Sequence, residues 1–504
     1  MLARAIACSV HGLAGVPVVV EADIANGLPN FTIVGLTDRA IQEARERVRA
    51  SVRNAGFEFP SRRLTVNLAP AEVPKEGTGF DLGIAMAILC LGNSSLRIEG
   101  YGFIGELALD GSVRPVTGVL PMARCLRAAG VRHLAVAEEN AAEAALVDSL
   151  AVIGVSSLQR CVAHLDGSDP LPAANAGIAT PVEEAADLAD VRGQGQAKRA
   201  LEIAAAGGHN LLMMGPPGSG KTMLARAFCS LLPDLDNEES LEVAALYSLR
   251  GALRERPPTS TRPPFRAPHH TVSRAGLVGG GSGLARPGEI SLAHHGVLFL
   301  DEVCEFSRSH LEALRQPLEE REVSVVRSRG AVLFPADFVL IAAANPCPCG
   351  HLGDETGCRC TPRALGEYAS RLSGPIRDRI DLVIDVPRQR YGDLFGRPAG
   401  EPSSVVRERV EAARAAQWRR NPSAARRRTR NAALDGRELQ QVAAATPAAT
   451  QVLGLAGERL QLSARGFFRV LRVARTIADL RGSAEVGEAD VAEALRFRGE
   501  APPP

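Results

Sequence analysis

The sequence predicts an α/β protein in three parts: a mixed α/β segment, a central parallel-sheet core and a helical C-terminal segment. Three observations carry that prediction. Continuously apolar runs at 210–214, 296–300 and 338–343 recur at strand length between loops and helical patterns, as buried parallel strands do. Residues 1–165 mix alternating apolar stretches (32–34 and 64–68) with helical patterns at 38–54 and 80–91. From Val405 the chain is rich in Ala, Arg and Leu and reads as helices.

At 504 residues the chain is too long for one ordinary core. Its 45% hydrophobic and 23% charged residues are those of a soluble globular protein, and a net charge of +1 gives no global argument for nucleic acid. The N-terminus lacks a charged-then-apolar signal layout. The longest apolar runs, such as Val16–Val20, fall far short of the roughly 20 residues that span a bilayer. A cytoplasmic protein without membrane contact is the expectation. Six of the ten cysteines (Cys8, Cys90, Cys125, Cys161, Cys229, Cys304) are scattered and read as small core residues rather than a disulfide framework.

The first segment ends near residue 165. Residues 166–186 form a linker, rich in Gly, Pro, Ala and Asp at 166–181. A strand–loop–helix rhythm then runs over 187–387. A second linker at 388–404 carries Gly392, Gly396, Pro398, Gly400 and Pro402, and helices occupy 405–504.

The strongest local signal is Gly215-Pro216-Pro217-Gly218-Ser219-Gly220-Lys221-Thr222, which satisfies G-x-x-x-x-G-K-[ST]. It follows an apolar strand and opens a helical pattern at 223–232, the context a phosphate-binding loop needs. Glycines let backbone N–H groups approach phosphates, Lys221 adds a positive charge, and the Thr222 hydroxyl suits Mg²⁺. Lysine occurs only at 75, 198 and 221, so one at this position is unlikely to be incidental.

Eighty residues on, the strand 296–300 ends in Asp301-Glu302. After a phosphate loop this places Asp301 near the Mg²⁺ shell and Glu302 where it can orient or deprotonate a water. By itself the pair would read as a solvated strand end. The next apolar strand ends at Asn345, an amide suited to holding the water or the γ-phosphate; a turn-starting Asn before Pro346 is the alternative.

Cys347, Cys349, Cys358 and Cys360 form C-x-C…C-x-C within fourteen residues, a candidate tetrahedral Zn²⁺ site or a reduced cysteine loop. His351 is a spare ligand. The segment Arg414–Arg430 holds Trp418 among seven-odd basic positions including Arg419, Arg420 and Arg426–Arg428. It reads as a nucleic-acid patch or as a solvated charged face.

Longer motifs carry a resemblance: Arg266-Ala-Pro-His-His-Thr271, Arg286-Pro-Gly-Glu-Ile-Ser-Leu-Ala-His294, Asn345-Pro-Cys-Pro-Cys-Gly350 and Ser373-Gly-Pro-Ile-Arg-Asp-Arg-Ile-Asp381. Together they resemble the ComM/YifB group of magnesium-chelatase-like AAA+ ATPases over nearly the whole chain. The resemblance implies a homo-hexameric ring with each ATP between subunits. It implies that Arg379 is the finger reaching a neighbour's γ-phosphate, with Arg377 the nearby competitor. Arg465 matches the sensor-2 arginine of a helical lid; an exposed surface charge is the alternative for either. Such a finger is worth about 10³ to 10⁵ in rate.

The Gly-rich stretch 273–287 resembles the helix-2 insert of this branch, and 323–334 its pre-sensor-1 hairpin. Arg327 and Arg329 at that hairpin's turn suit DNA phosphates; a solvated polar turn is the alternative. Residues 70–83 and 105–116 resemble the proteolytic domain of Lon, but Gly79 stands where Lon needs its Ser nucleophile, so a non-proteolytic domain is expected. The function implied is a DNA branch-migration helicase or translocase, acting on branched or single-stranded DNA in recombination or natural transformation. A protein-remodelling or chelatase-type ATPase and a nucleotide-gated switch are the alternatives.

Overall fold

The computed structural model describes residues 2–35, 39–73, 75–93, 95–176, 186–281, 285–327, 330–353, 357–372, 374–389, 400–420 and 429–498. Its first part is a seven-stranded mixed sheet. In spatial order the strands are Asn30–Val34, Arg63–Ala69, Ala14–Ala25, Leu2–His11, Tyr101–Ile104, His133–Ala137 and Ala151–Val155. The Leu2–His11 and Ala14–Ala25 strands form an antiparallel hairpin, and the last four strands run parallel to one another. The helix Asp81–Gly92 packs across this sheet. It is apolar on every side and almost wholly buried, because the amphipathic helix Arg39–Asn54 covers it with Ile41, Ala44, Val48 and Val52.

The first linker is shorter than its composition suggests. The Ala174 amide donates to the Val152 carbonyl at 2.7 Å, so the chain stays on the sheet that far. Residues 177–185 lie outside the described residues.

The central part is a five-stranded, all-parallel sheet ordered Phe265–Arg266, Val297–Leu300, Val339–Ala344, Leu211–Met214 and Leu382–Asp385. The three strands read from the sequence are present with boundaries within a residue. Their register decides the site: Leu300 lies beside Ala342 and Met214 beside Ala344. Gly215, Asp301 and Asn345 therefore leave the sheet at one edge, the carboxyl ends of the strands, where open parallel sheets bind ligands.

The helical part begins at Ser403 rather than after 404, because Ser403 is anchored: its hydroxyl accepts the Leu188 amide at 2.7 Å. Ser403–Arg420 and Ala464–Leu480 share a core with the helices Gly195–Gly207 and Lys221–Leu231 of the sheet domain. Where it is described, the basic stretch at 414–430 is only in part a surface. Arg414 is partly buried and donates to the Ala205 carbonyl at 2.7 and 2.9 Å. Arg420 grips buried Asp479 at 2.5 and 2.7 Å, alongside fully buried Arg475. Arg430 pairs with Asp337. Arg414 joins the helix Ser403–Arg420 to the helix Gly195–Gly207, and Arg430 joins the helical part to the sheet domain at Asp337. Arg419 and Trp418 stay exposed, and Arg426–Arg428 lie outside the described residues.

The helix Asn237–Arg250 ties the two α/β parts together. Its Ser248 carbonyl accepts the Gly118 amide at 3.1 Å, its Ser248 hydroxyl donates to Glu143, and Arg124 pairs with Glu238 at 2.9 Å. Burial raises the Glu143 carboxyl above its usual range despite those donors. Among the described residues no helix is long and apolar enough to cross a membrane.

Candidate nucleotide site

The strand Leu211–Met214 feeds the loop 215–220, and the helix Lys221–Leu231 starts directly after it. Gly220 has φ +94°, a backbone that L side chains resist, and it sets the helix amino end toward the loop. The loop is tied to the neighbouring strand by the Gly215 amide, which donates to the Ala344 carbonyl at 3.1 Å.

Lys221 is 8% exposed. Its Nζ donates to the Gly215 carbonyl at 2.6 Å, the Pro216 carbonyl at 3.0 Å and Asn345 Oδ1 at 3.4 Å. Burial lowers its pKa, and the charges of Asp301 and Glu302 oppose that shift. The Thr222 hydroxyl donates to Asp301 Oδ2 at 2.9 Å, and Asp301 Oδ1 accepts the Glu302 amide at 3.0 Å. Hard oxygen donors side by side at the end of a phosphate loop are the donor set Mg²⁺ takes. Glu302 sits in the left-handed region at φ +49°, which is uncommon outside glycine. Its carboxylate is half exposed, with His270 Nδ1 3.9 Å away.

Beside the loop, a cavity is lined by Asp190, Val191, Arg192, Gln194, Arg388 and Gln389 together with residues 217–220. Gln194 Nε2 donates to the Pro387 carbonyl at 2.8 Å, closing the far side. The sequence-predicted group from Gly215 to Thr222, Asp301, Glu302 and Asn345 is thus brought together.

Arg379 and Arg465 are brought together elsewhere. They line a second cavity with Arg321, Arg430, Arg469 and Arg472 and the carboxylates of Glu319, Asp337, Asp378 and Asp381, and no phosphate-loop residue is among its lining. Arg379 pairs with Glu319 there, and Arg465 is exposed. Arg377, its competitor, lies outside that lining; its carbonyl accepts from Arg469 at 2.9 Å.

The predicted hairpin is present as Glu322–Arg327 and Gly330–Pro335, with Arg327 opposite Gly330. The Arg327 side chain and Arg329 lie outside the described residues. Cys347, Cys349, Cys358 and Cys360 converge, each contributing a sulfur within 4.8 Å of the others. In the N-terminal domain, buried Lys75 donates to the Pro70 carbonyl and the Thr78 hydroxyl to Glu106, while Gly79 faces Ile104 and Val116.

Sequence reasoning left His294 at the end of a motif, and His295 just past it, without a role. His294 is buried and His295 partly so, and both meet Glu242, His294 Nε2 at 3.2 Å and His295 Nε2 at 3.0 Å. The Asp337 amide donates to His294 Nδ1 at 3.0 Å, so the proton of neutral His294 sits on Nε2 and no lone pair there faces a metal. Burial pulls His294 down to about 4. Hydrogen bonds from His294 and His295 hold Glu242 far below the usual carboxylate range. The His-His doublet was the available signal; its partner fifty residues upstream was not.

Comparison with known proteins places the chain in a family. Family models match along the chain: "Magnesium chelatase, subunit ChlI" at 187–394, "Subunit ChlI of Mg-chelatase" at 20–140 and "Magnesium chelatase, subunit ChlI C-terminal" at 400–498. An uncharacterized protein of Mycobacterium tuberculosis is 47% identical, covering 99% of this chain and 98% of its own. YifB of Salmonella typhimurium, also described as uncharacterized, is 44% identical over 97% and 95% of the two chains. The competence protein ComM of Haemophilus influenzae is 42% identical over 95% and 94%.

The chain belongs to the ComM/YifB group of magnesium-chelatase-like proteins. Its N-terminal part is also 27% identical over 128 residues to the Lon protease of Chloroflexus aurantiacus, 24% of this chain and 16% of that one. As a ComM/YifB protein it carries an AAA+-type parallel sheet between a Lon-like α/β domain and a helical lid, the three-part architecture expected from its sequence.

Proposed function

We propose that this protein is an ATP-hydrolysing ring motor that moves DNA, a branch-migration helicase or translocase in recombination or natural transformation. The observation that carries the reading is the separation of Arg379 and Arg465 from their own chain's phosphate loop. In a closed ring, arginines placed away from their own site are available to the next subunit's ATP, so a homo-hexamer explains both cavities.

Hydrolysis in this reading divides among named groups. The amides of 216–222 and the Lys221 ammonium hold the β- and γ-phosphates. Thr222 and Asp301 hold Mg²⁺, which supplies charge neutralisation at the phosphates when bound. Glu302 orients or deprotonates the attacking water, with His270 beside its carboxylate, and Asn345 fixes the γ-phosphate or the water. Arg379 and Arg465 of the adjacent subunit stabilise the charge that develops. A structural zinc on Cys347, Cys349, Cys358 and Cys360 completes the set of cofactors.

The DNA assignment is supported by the similarity to a competence protein and by the arginine-bearing hairpin at 322–335. A second reading, a chelatase-type or protein-remodelling ATPase, is favoured by one observation: Arg414, Arg420 and Arg430 point inward, which removes a candidate DNA surface.

Junction unwinding by the wild type beside Lys221→Ala tests the proposal. Loss of unwinding in the variant supports it, and unwinding that survives sinks it. ATPase activity stimulated by DNA and reduced in the Arg327→Ala/Arg329→Ala double variant supports the DNA reading. Indifference to every nucleic acid tried supports a protein client.

A further inference from the structure

We infer that one zinc ion, held by Cys347, Cys349, Cys358 and Cys360, braces a loop that forms one wall of the phosphate site, so that its occupancy governs nucleotide affinity. This rests on the ATPase reading and adds to it a means of regulation.

The sulfur geometry selects a single metal. Cys347 and Cys349 Sγ are 3.3 Å apart, and each lies 3.7 Å from Cys358 Sγ. A tetrahedron with Zn–S near 2.3 Å has edges of about 3.8 Å. A disulfide needs about 2.05 Å, and all four thiols are free. An iron–sulfur cluster spreads its thiolates over separate irons, which these short edges do not allow.

Backbone amides point at the sulfurs as they do around metal thiolates. The Cys360 amide donates to Cys358 Sγ at 3.4 Å, and the Arg359 and His351 amides donate to Cys349. Of the four, only Cys347 is fully buried. Leu352 is 38% exposed, and Gly350, Gly353 and Gly357 all have positive φ. Such a loop has no apolar core of its own. Metal ligation is an interaction that can order it.

The same loop touches the nucleotide machinery at several points. It starts at Asn345, whose Oδ1 accepts from Lys221 Nζ at 3.4 Å, one residue after the carbonyl that holds the Gly215 amide. Gly350 lies on the Pro217 ring: a Cβ there would come within 2.6 Å of Pro217 Cδ. The loop leaves through Thr361, which caps the helix Pro362–Arg371. From that helix Arg371 donates to the Cys304 carbonyl at 3.2 Å and to Glu305 at 3.0 Å, just past Glu302. Releasing the sulfurs would free the loop from Pro217 and Asn345 together.

The test uses full-length protein purified without chelators, metal analysis by mass spectrometry, and titration with a fluorescent ATP analogue in Mg²⁺. The expected result is about one zinc per chain. Cys358→Ser/Cys360→Ser should lose the zinc and bind nucleotide at least tenfold more weakly. Gly350→Ala should keep the zinc yet weaken nucleotide binding severalfold, through the close approach to Pro217 and the strain of a side chain at its positive φ. If the double variant does not fold, the wild type stripped by a zinc-selective chelator takes its place, with recovery of binding on adding zinc as the supporting result. Wild type with less than a tenth of a zinc per chain, or with iron in its place, overturns the site. Zinc-free protein binding nucleotide within twofold of wild type overturns the coupling. Wild type that holds zinc but binds no nucleotide overturns the ATPase reading and the coupling with it, and leaves the metal site standing.

Discussion

Replacing Lys221 by Ala should cost nucleotide affinity and leave the fold intact, and the structure sets the size of the effect. The buried ammonium is held by three neutral acceptors at 2.6, 3.0 and 3.4 Å. Placed about 4 Å from one net phosphate charge, at an effective dielectric near 20, it gains about 4 kcal/mol. Exchanging one neutral hydrogen bond for a phosphate oxygen takes back about 1 kcal/mol. About 3 kcal/mol remains, roughly a 150-fold change in Kd. The fold should tolerate the change: Ala is a strong helix former, and it removes a cation from a helix amino end where the dipole disfavours one. The assay is titration of a fluorescent ATP analogue with Mg²⁺, paired with thermal unfolding. A folded Lys221→Ala protein that binds within twofold of wild type would refute the reasoning. A variant that unfolds far earlier would show that the ammonium acts on the loop's structure rather than on phosphate.

Glu302→Gln should bind MgATP and turn it over at least tenfold more slowly, a barrier increase of about 1.4 kcal/mol or more; unchanged turnover removes Glu302 from its role. Arg379→Ala and Lys221→Ala should each lack ATPase activity alone, whereas mixed rings should regain part of it, because one supplies the phosphate loop and the other the finger. No recovery on mixing argues against action between subunits. His294 carries a pH prediction. Its folded pKa of about 4 lies below the unfolded value near 6.5, so the unfolded chain binds the extra proton between those limits. Its contribution to stability is full above about pH 6.5 and is lost as pH falls toward 4, by up to about 3 kcal/mol. Denaturant unfolding of wild type and His294→Asn at pH 7.5 and 4.5 checks this: the gap between the two should shrink on acidification, and a constant gap contradicts it.

Local sequence determined much of this protein. The phosphate loop, the Asp301-Glu302 pair, Asn345 and the three central strands were legible because each depends on residues adjacent in the chain: glycines that permit a turn, an apolar run that buries a strand, a polar residue at its tip. Tertiary structure alone decided three other things. Strand register set Gly215, Asp301 and Asn345 on one edge. Long-range pairing turned Arg414, Arg420 and Arg430 from candidate surface charges into partly buried struts, because an arginine's role depends on whether a carboxylate or carbonyl such as Asp479, Asp337 or Ala205 awaits it across the fold. Packing put His294 and His295 against Glu242, and Gly350 against Pro217, contacts between segments 52 or more positions apart that no sequence spacing encodes. Short-range patterns specify backbone and chemistry; which charges meet, and which loops brace which, is settled only when distant parts of the chain are brought together.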